Sequence, residues 1–268
     1  MKKYISLLKY EMKTILKDPM NVFMLTYPVV MLLVCAYLLP MIIAMTNGEN
    51  SSGEAITLLI GFIVILAVGG FLMGAMLGFS LLDNKDEMTL INIAVSPITV
   101  SGYATFKIIY TYVLSIIANL IMLGGLKLLA SDVYTIQYQQ LQLPLLDSIS
   151  YGEILVFSIV TSFFVPAIAL VIASIAKNKI EGFALIKGGG LIVFIPVLAL
   201  LDIFQDWKQY ILGIVPIFWP LKAILNESFG SMFSSNLPFW LYMVIGSVYS
   251  IVLGLLALRG FLKKINIK

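Results

Sequence analysis

The chain contains no histidine. That absence removes HExxH zinc sites, Ser-His and Cys-His nucleophile pairs, and histidine-ligated haem. There is one cysteine, Cys35, inside an apolar run, so no internal disulfide can form. It reads as a small apolar packing residue. No lysine follows a glycine, so the G-x4-G-K-[ST] phosphate loop is absent and the chain does not bind ATP by that route. Gly188-Gly189-Gly190 lacks the Lys-Ser/Thr that such a loop needs and reads as flexible or closely packed backbone. Charge is scarce, at 12% of residues. A soluble domain carries about 25%. Arginine is nearly missing: of 17 basic residues only Arg259 is not lysine. This lysine- and isoleucine-rich bias is compositional and points to a low-GC bacterium. No cleavable signal peptide is expected, because the first apolar run is too long for an h-region and no small-x-small site follows it.

What the chain does have is apolar length. It is 60% hydrophobic over 268 residues, with a mean hydropathy of +1.02. About 20 apolar residues cross a bilayer core of roughly 30 Å. Six segments reach that length: residues 22–45, 55–82, 106–130, 152–176, 182–201 and 237–258. The expected fold is therefore an all-α membrane protein with six transmembrane helices. Pro28, Pro166 and Pro196 fall inside spans and predict kinks. Before the first span, Ile5, Leu8, Met12, Ile15 and Leu16 recur at helical spacing, while Lys9, Lys13 and Lys17 mark another face. Residues 1–21 thus read as an amphipathic helix in the interface, lysines toward anionic lipid headgroups, turned into the membrane at Asp18-Pro19. Residues 22–268 form the six-span domain.

Basic residues set the orientation. With both termini inside, 14 of the 17 face the cytoplasm, leaving Lys127, Lys208 and Lys222 outside. The positive-inside rule then gives N-in, C-in and an even number of spans. Of the outer connections, 46–54 is short and 131–151 reads as an ordinary polar loop. Residues 211–225 are apolar but too short to cross, and are interrupted by Pro216, Pro220 and Lys222. They read as a re-entrant or interfacial hairpin before span six. Trp207, Trp219 and Trp240, with Tyr210 and Tyr242, fit an aromatic belt at the outer interface. Gly70, Gly74 and Gly78 form a small-residue stripe in span two, suited to packing within the subunit or to a dimer face. Gly246, Ser250 and Gly254 form a similar stripe in span six.

Two inner loops remain. The short one is Lys177, Asn178, Lys179, Ile180 and Glu181. The long one runs from Asp83 to Lys107. Asp86 and Glu87 suit a helix N-terminus. Leu90, Ile93 and Ala94 then supply an apolar stripe, and Ser96-Pro97 ends the helix. By spacing alone this is either a solvated connector with a surface helix or a docking element for a partner.

The order of these parts resembles the ABC-2 membrane family, the permeases of type-2 ABC exporters. Glu87-Met88-Thr89-Leu90 and Ser96-Pro97-Ile98-Thr99 fall where that family carries its coupling helix, between spans two and three. Lys107, the Lys17-Asp18-Pro19 elbow and the apolar hairpin before span six are also similar. Met88 stands where the family often has glycine, and Asn92 where an acid is common. The resemblance implies a permease subunit of an ATP-driven exporter, not an enzyme. The resemblance does not choose the cargo; the lack of mid-membrane charge argues against an ion relay and suits an amphipathic or hydrophobic cargo, a drug, antimicrobial peptide or lipid-like molecule. Asp86, Glu87, Thr89, Leu90, Ile93 and Pro97 would dock a separate ABC ATPase, with Lys177, Asn178, Lys179 and Glu181 as a second contact. ATP and Mg would be held by that partner, with no cofactor or metal on this chain. A second permease subunit, identical or not, would complete the pathway in the plasma membrane, and no nucleic-acid partner is expected. The other class considered is a secondary transporter or channel without an ATPase. It would need intramembrane ionisable groups or an inverted repeat, and the sequence displays neither.

Overall fold

The computed structural model describes residues 2–46, 51–86, 100–138, 141–190, 195, 198, 201–204, 206–230 and 237–265. Five helical runs in them are long and apolar enough to cross a membrane: Pro19–Met45, Glu54–Asn84, Gly102–Ala130, Tyr151–Ile175 and Phe239–Lys264. The chain is a multi-pass membrane protein.

Helix α1 (Lys2–Lys17) precedes the first run. Glu11 and Ile15, four residues apart, form its buried face, while Leu8 and Leu16 are exposed. The elbow that follows is a helix cap. Asp18 accepts a hydrogen bond from the Met20 amide at 3.0 Å, and Pro19 takes the first turn of α2 (Pro19–Leu33), where its missing N–H costs nothing. A π-turn over Val34–Leu38 leads into α3 (Leu39–Thr46). The bundle is built around α4 (Ser51–Asp86), 36 residues long. Next come α5 (Val100–Asn119), a second π-turn (Leu120–Gly124) and α6 (Gly125–Ala130).

The connection after α6 holds the one departure from an all-helical reading among the described residues. Strands β1 (Thr135–Tyr138) and β2 (Leu141–Pro144) pair antiparallel, Thr135 opposite Pro144 and Tyr138 opposite Leu141. A capping box of Ser150 and Glu153 then starts α7 (Tyr151–Ser162). The run breaks at Phe163-Phe164, and α8 (Val165–Ile175) resumes with Pro166 in its first turn. The irregularity expected at Pro166 falls two to three residues earlier: Phe163 and Phe164 keep α-like dihedrals but their amides bond the carbonyls three residues back, because the proline lacks an N–H and its ring crowds the carbonyl four residues before it.

A tight turn joins α8 to α9 (Lys179–Gly190). Asn178 caps α9 by accepting from the Glu181 amide at 2.9 Å, and the Glu181 carboxylate accepts from the Lys177 amide at 2.9 Å. Helix α9 has 12 residues, too few to cross alone. Most of 191–200, the rest of the expected fifth span, lies outside the described residues. A 3-10 turn (Trp207–Ile214) and α10 (Phe218–Phe229) make up the hairpin before the last run. Helix α10 is packed into the bundle: Phe218, Leu221, Ala223 and Ile224 are fully buried. The chain then enters α11 (Phe239–Ile265).

The small-residue stripes mark where helices meet. A Cβ added at Gly74 would lie 3.0 Å from Ile168, and one at Gly78 would lie 3.1 Å from Ile172, both on α8. One at Gly70 would meet the Thr161 carbonyl at 3.7 Å. Gly246 faces Pro220 and Trp219 of the hairpin at 3.0–3.1 Å. In lipid, where apolar burial alone does not drive helices together, such close backbone approach is what holds a bundle.

Candidate functional site

The polar residues of the bundle gather at the end that carries α1. Helix α4 brings Ser80 and Asn84 there, and α5 brings Tyr103 and Lys107; each pair is four residues apart and so shares a helix face. Into this corner α1 inserts Glu11, its sole acid. Tyr103 Oη donates to Glu11 Oε1 at 2.6 Å and receives a bond from Asn84 Nδ2 at 2.9 Å. Lys107 Nζ lies 3.4 Å from Glu11 Oε1, donates to Ser80 Oγ at 2.7 Å and Ser80 O at 3.3 Å, and stands 5.0 Å from the centre of the Tyr103 ring. Both charges are at most 3% exposed. Burying two charges is costly, and only dense hydrogen bonding of this kind offsets it.

A second ion cluster sits beside the first. Lys179 Nζ, at the start of α9, bridges Asp18 Oδ2 at 2.8 Å and Asp83 Oδ2 at 3.0 Å. Partial burial works to raise the Asp18 pKa, but the bonds from Lys179 and the Met20 amide outweigh it and hold the carboxyl below its ordinary value. For Lys179, burial works downward, and the bonds to Asp18 and Asp83 win, raising it. Both groups are therefore charged near neutral pH. The two clusters wall a cavity of about 270 Å³. Asn21 Oδ1, in a residue only 3% exposed, lines it without a protein donor, which suits a water-filled space. Together the clusters tie α1, the elbow and α9 to the two roots of the 87–99 segment: Asp83 and Asn84 just before it, Tyr103 and Lys107 just after.

Asp86 is the last residue of α4, while Glu87, Thr89, Leu90, Ile93 and Pro97 lie outside the described residues. Of the second proposed contact, Lys179 joins the ion cluster, Asn178 and Glu181 form the cap, and Lys177 is exposed. Ile180, not singled out from the sequence, stands 82% exposed in this turn. An isoleucine in the middle of Lys-Asn-Lys-Ile-Glu was the available signal. Among the described residues no group of three or more Cys, Asp or Glu side chains is placed to hold a metal ion.

Two features deeper in the bundle bear on transport. The first is a stripe of buried polar groups on α5, Thr111, Ser115 and Asn119, at four-residue spacing from Lys107. Ser162 Oγ donates to Ser115 Oγ at 2.9 Å, and Asn119 Nδ2 donates to Thr161 Oγ1 at 3.1 Å, just before the break in the α7–α8 run. Gly69 of α4 makes room for Asn119: a Cβ there would lie 2.5 Å from its Oδ1. The second is an apolar cavity of about 680 Å³ between α4, α8, α9 and α11, walled by Phe71, Phe164, Val171, Ile175 and Leu256. Gly188 and Gly189 line it, and a Cβ at either would meet nothing within 4 Å. That size and lining suit one drug-sized apolar ligand.

The chain matches the family described as "Fluoroquinolones export permease protein Rv2686c-like" over residues 11–258, which include both ion clusters and the cavity. It belongs to that family. Two curated relatives from Mycobacterium tuberculosis are similar over nearly their whole length. They are fluoroquinolones export permease protein MT2760 (strain CDC 1551 / Oshkosh) and fluoroquinolones export permease protein Rv2686c (strain ATCC 25618 / H37Rv). Each is 24% identical over 255 residues, covering 92% of this chain and 89% of the relative. Membership agrees with the ABC-2 resemblance, and a permease family points to a transport subunit rather than an enzyme.

At the other end of the bundle, Lys222 of α10 is 1% exposed, and burial pushes its pKa down to about 8. In the sequence this lysine interrupts the apolar run 211–225, and in the fold its side chain lies inside the bundle.

Proposed function

We propose that this chain is the membrane subunit of an ATP-driven exporter that moves amphipathic aromatic compounds, fluoroquinolones among them, out of a bacterial cell. It would span the plasma membrane six times with both termini in the cytoplasm. Two permease subunits would work with two ABC ATPase subunits, which hold ATP and Mg. The observation that carries this reading is the family match along residues 11–258, with relatives named as export permeases.

The site suggests how force would travel. ATP binding would close the ATPase pair and push on residues 86–97, with Ile180 and its turn as a second foothold. The roots of the pushed segment are not free. Glu11 holds Tyr103 and Lys107 to α1, and Lys179 holds Asp83 to the elbow and α9. A push would therefore move α1, α4, α5 and α9 as one unit. The α4–α8 contact at Gly74 and Gly78 is too close to absorb that motion. The break at Phe163-Phe164 can take up the change, and the apolar cavity beside it is the space that would open or close. Substrate would be held there chiefly by apolar contact.

The reading is tested by co-expressing the chain with ABC ATPases of its own genome and isolating the complex. An ATPase should co-purify, and Glu87→Arg with Leu90→Arg should release it. If that double variant keeps both assembly and ATP-dependent export, the docking assignment is wrong.

A further inference from the structure

Helix α1 and helix α5 enclose a second apolar groove, of about 810 Å³, apart from the cavity assigned above to transport. Leu8 and Met12 form one wall, and Phe106, Ile109 and Val113 form the other. Leu8, Ile109 and Val113 are exposed, so the groove opens sideways, away from the bundle. It runs along α5 from Gly102 to Leu114. Twelve steps at 1.5 Å give about 18 Å. One leaflet of a roughly 30 Å hydrocarbon core is about 15 Å deep. Gly102 is also the first residue of that apolar run, so the groove has the length and starting point to match one leaflet from its polar edge inward.

The charge around it is one-sided. Leu8 and Met12 are followed directly by Lys9 and Lys13, one sector further round α1, and both lysines are exposed. Lys17 continues the row. The only acid of α1, Glu11, is turned the opposite way and neutralised by Lys107. A helix with an apolar face, a lysine row beside it and its acid hidden presents net positive charge at the headgroup level.

We propose that this groove is a binding site for one anionic phospholipid. Its acyl chain lies between α1 and α5, and its phosphate is held by Lys9 and Lys13. The acyl chain would contact both walls and so bridge α1 and α5 on the side away from the Glu11–Lys107 clasp. Assigning the leaflet to the cytoplasmic side rests on the orientation proposed above; binding in detergent does not depend on that orientation.

The test is native mass spectrometry of the purified full chain in detergent, with phosphatidylglycerol or phosphatidylcholine added at equal concentration. Phosphatidylglycerol should be retained at least tenfold more. Each lysine near an anionic headgroup is worth about fivefold, so Lys9→Gln with Lys13→Gln should bring retention down to the phosphatidylcholine level. Both lysines are exposed, so this variant leaves the fold intact. In parallel, phosphatidylglycerol with a photoreactive acyl chain should label residues 8–12 and 106–113 of the wild-type chain in preference to its other apolar faces. Equal retention of the two lipids, retention unchanged in the double variant, or labelling spread evenly over the bundle would each overturn the proposal. So would displacement of the lipid by glycerol phosphate alone at matched concentration, which would mark an ion site without a chain site.

Discussion

The Glu11–Lys107 pair gives the sharpest prediction, because its two halves respond differently to loss. Glu11→Leu removes the carboxylate and leaves Lys107 buried beside the Ser80 oxygens and the Tyr103 ring, with Asp83 the other charge acting on it. Removing one member of a buried pair costs about 3–5 kcal/mol. Lys107→Met leaves Glu11 buried with the Tyr103 hydroxyl as its remaining donor and should cost a similar amount. The double variant Glu11→Leu with Lys107→Met removes both charges and keeps the volume. Such replacements are often neutral. Tyr103 loses one acceptor, which adds about 1 kcal/mol. The double variant should therefore sit within about 2 kcal/mol of wild type, with a coupling energy of several kcal/mol between the sites. For a chain of this size each single variant should lower the melting temperature by roughly 6–20 °C. Thermal unfolding of the purified protein in detergent, followed by circular dichroism, reads this directly. Single variants within about 0.5 kcal/mol of wild type, or a double variant as unstable as the sum of the singles, would refute the reasoning.

Other consequences follow from the same contacts. Gly74→Leu should cost about 1–3 kcal/mol by overpacking against Ile168, whereas Gly188→Ala should be neutral or gain up to about 1 kcal/mol from helix propensity, both read as melting temperature. The lowered Asp18 pKa contributes stability that is present above the unfolded value of about 3.9 and is lost as pH falls through the folded value. Because the group is partly exposed the effect should stay below about 1 kcal/mol, and Asp18→Asn should remove it from a pH series of melting temperatures. Lys222 has the opposite sense. Its folded pKa of about 8 lies below the unfolded value of about 10.4, so stability should rise with pH across that window, by at most about 3 kcal/mol, and Lys222→Met should abolish the rise.

Much of the architecture was legible because apolar length and cap chemistry are local signals. Asp18-Pro19 announced the elbow, and Lys177–Glu181 announced the turn before α9. The hairpin of β1 and β2 was legible too, in the alternation Thr135-Ile136-Gln137-Tyr138 and Leu141-Gln142-Leu143, but a polar loop reading passed over it. The polar stripe of Thr111, Ser115 and Asn119 carried a four-residue period that average hydropathy conceals. The ion clusters were not legible. Glu11 meets Tyr103 across 92 positions, and Lys179 meets Asp18 across 161. Nothing local tells a lysine at a span end whether it reaches water or a buried carboxylate. Lys107 read as a basic residue entering span three, and the fold makes it the centre of the site. The functional reading rests on the resemblance and the family match more than on any side chain, because no catalytic group marks a permease.

The central claim is that this chain exports with the energy of ATP supplied by a partner. The most direct measurement is fluoroquinolone uptake, followed by the drug's own fluorescence, into inside-out vesicles holding the chain and its ATPase. Uptake should require ATP, persist after the proton gradient is collapsed, and disappear when the ATPase is omitted. Uptake by this chain alone, driven by an imposed proton gradient and indifferent to ATP, would contradict the account and identify a secondary transporter.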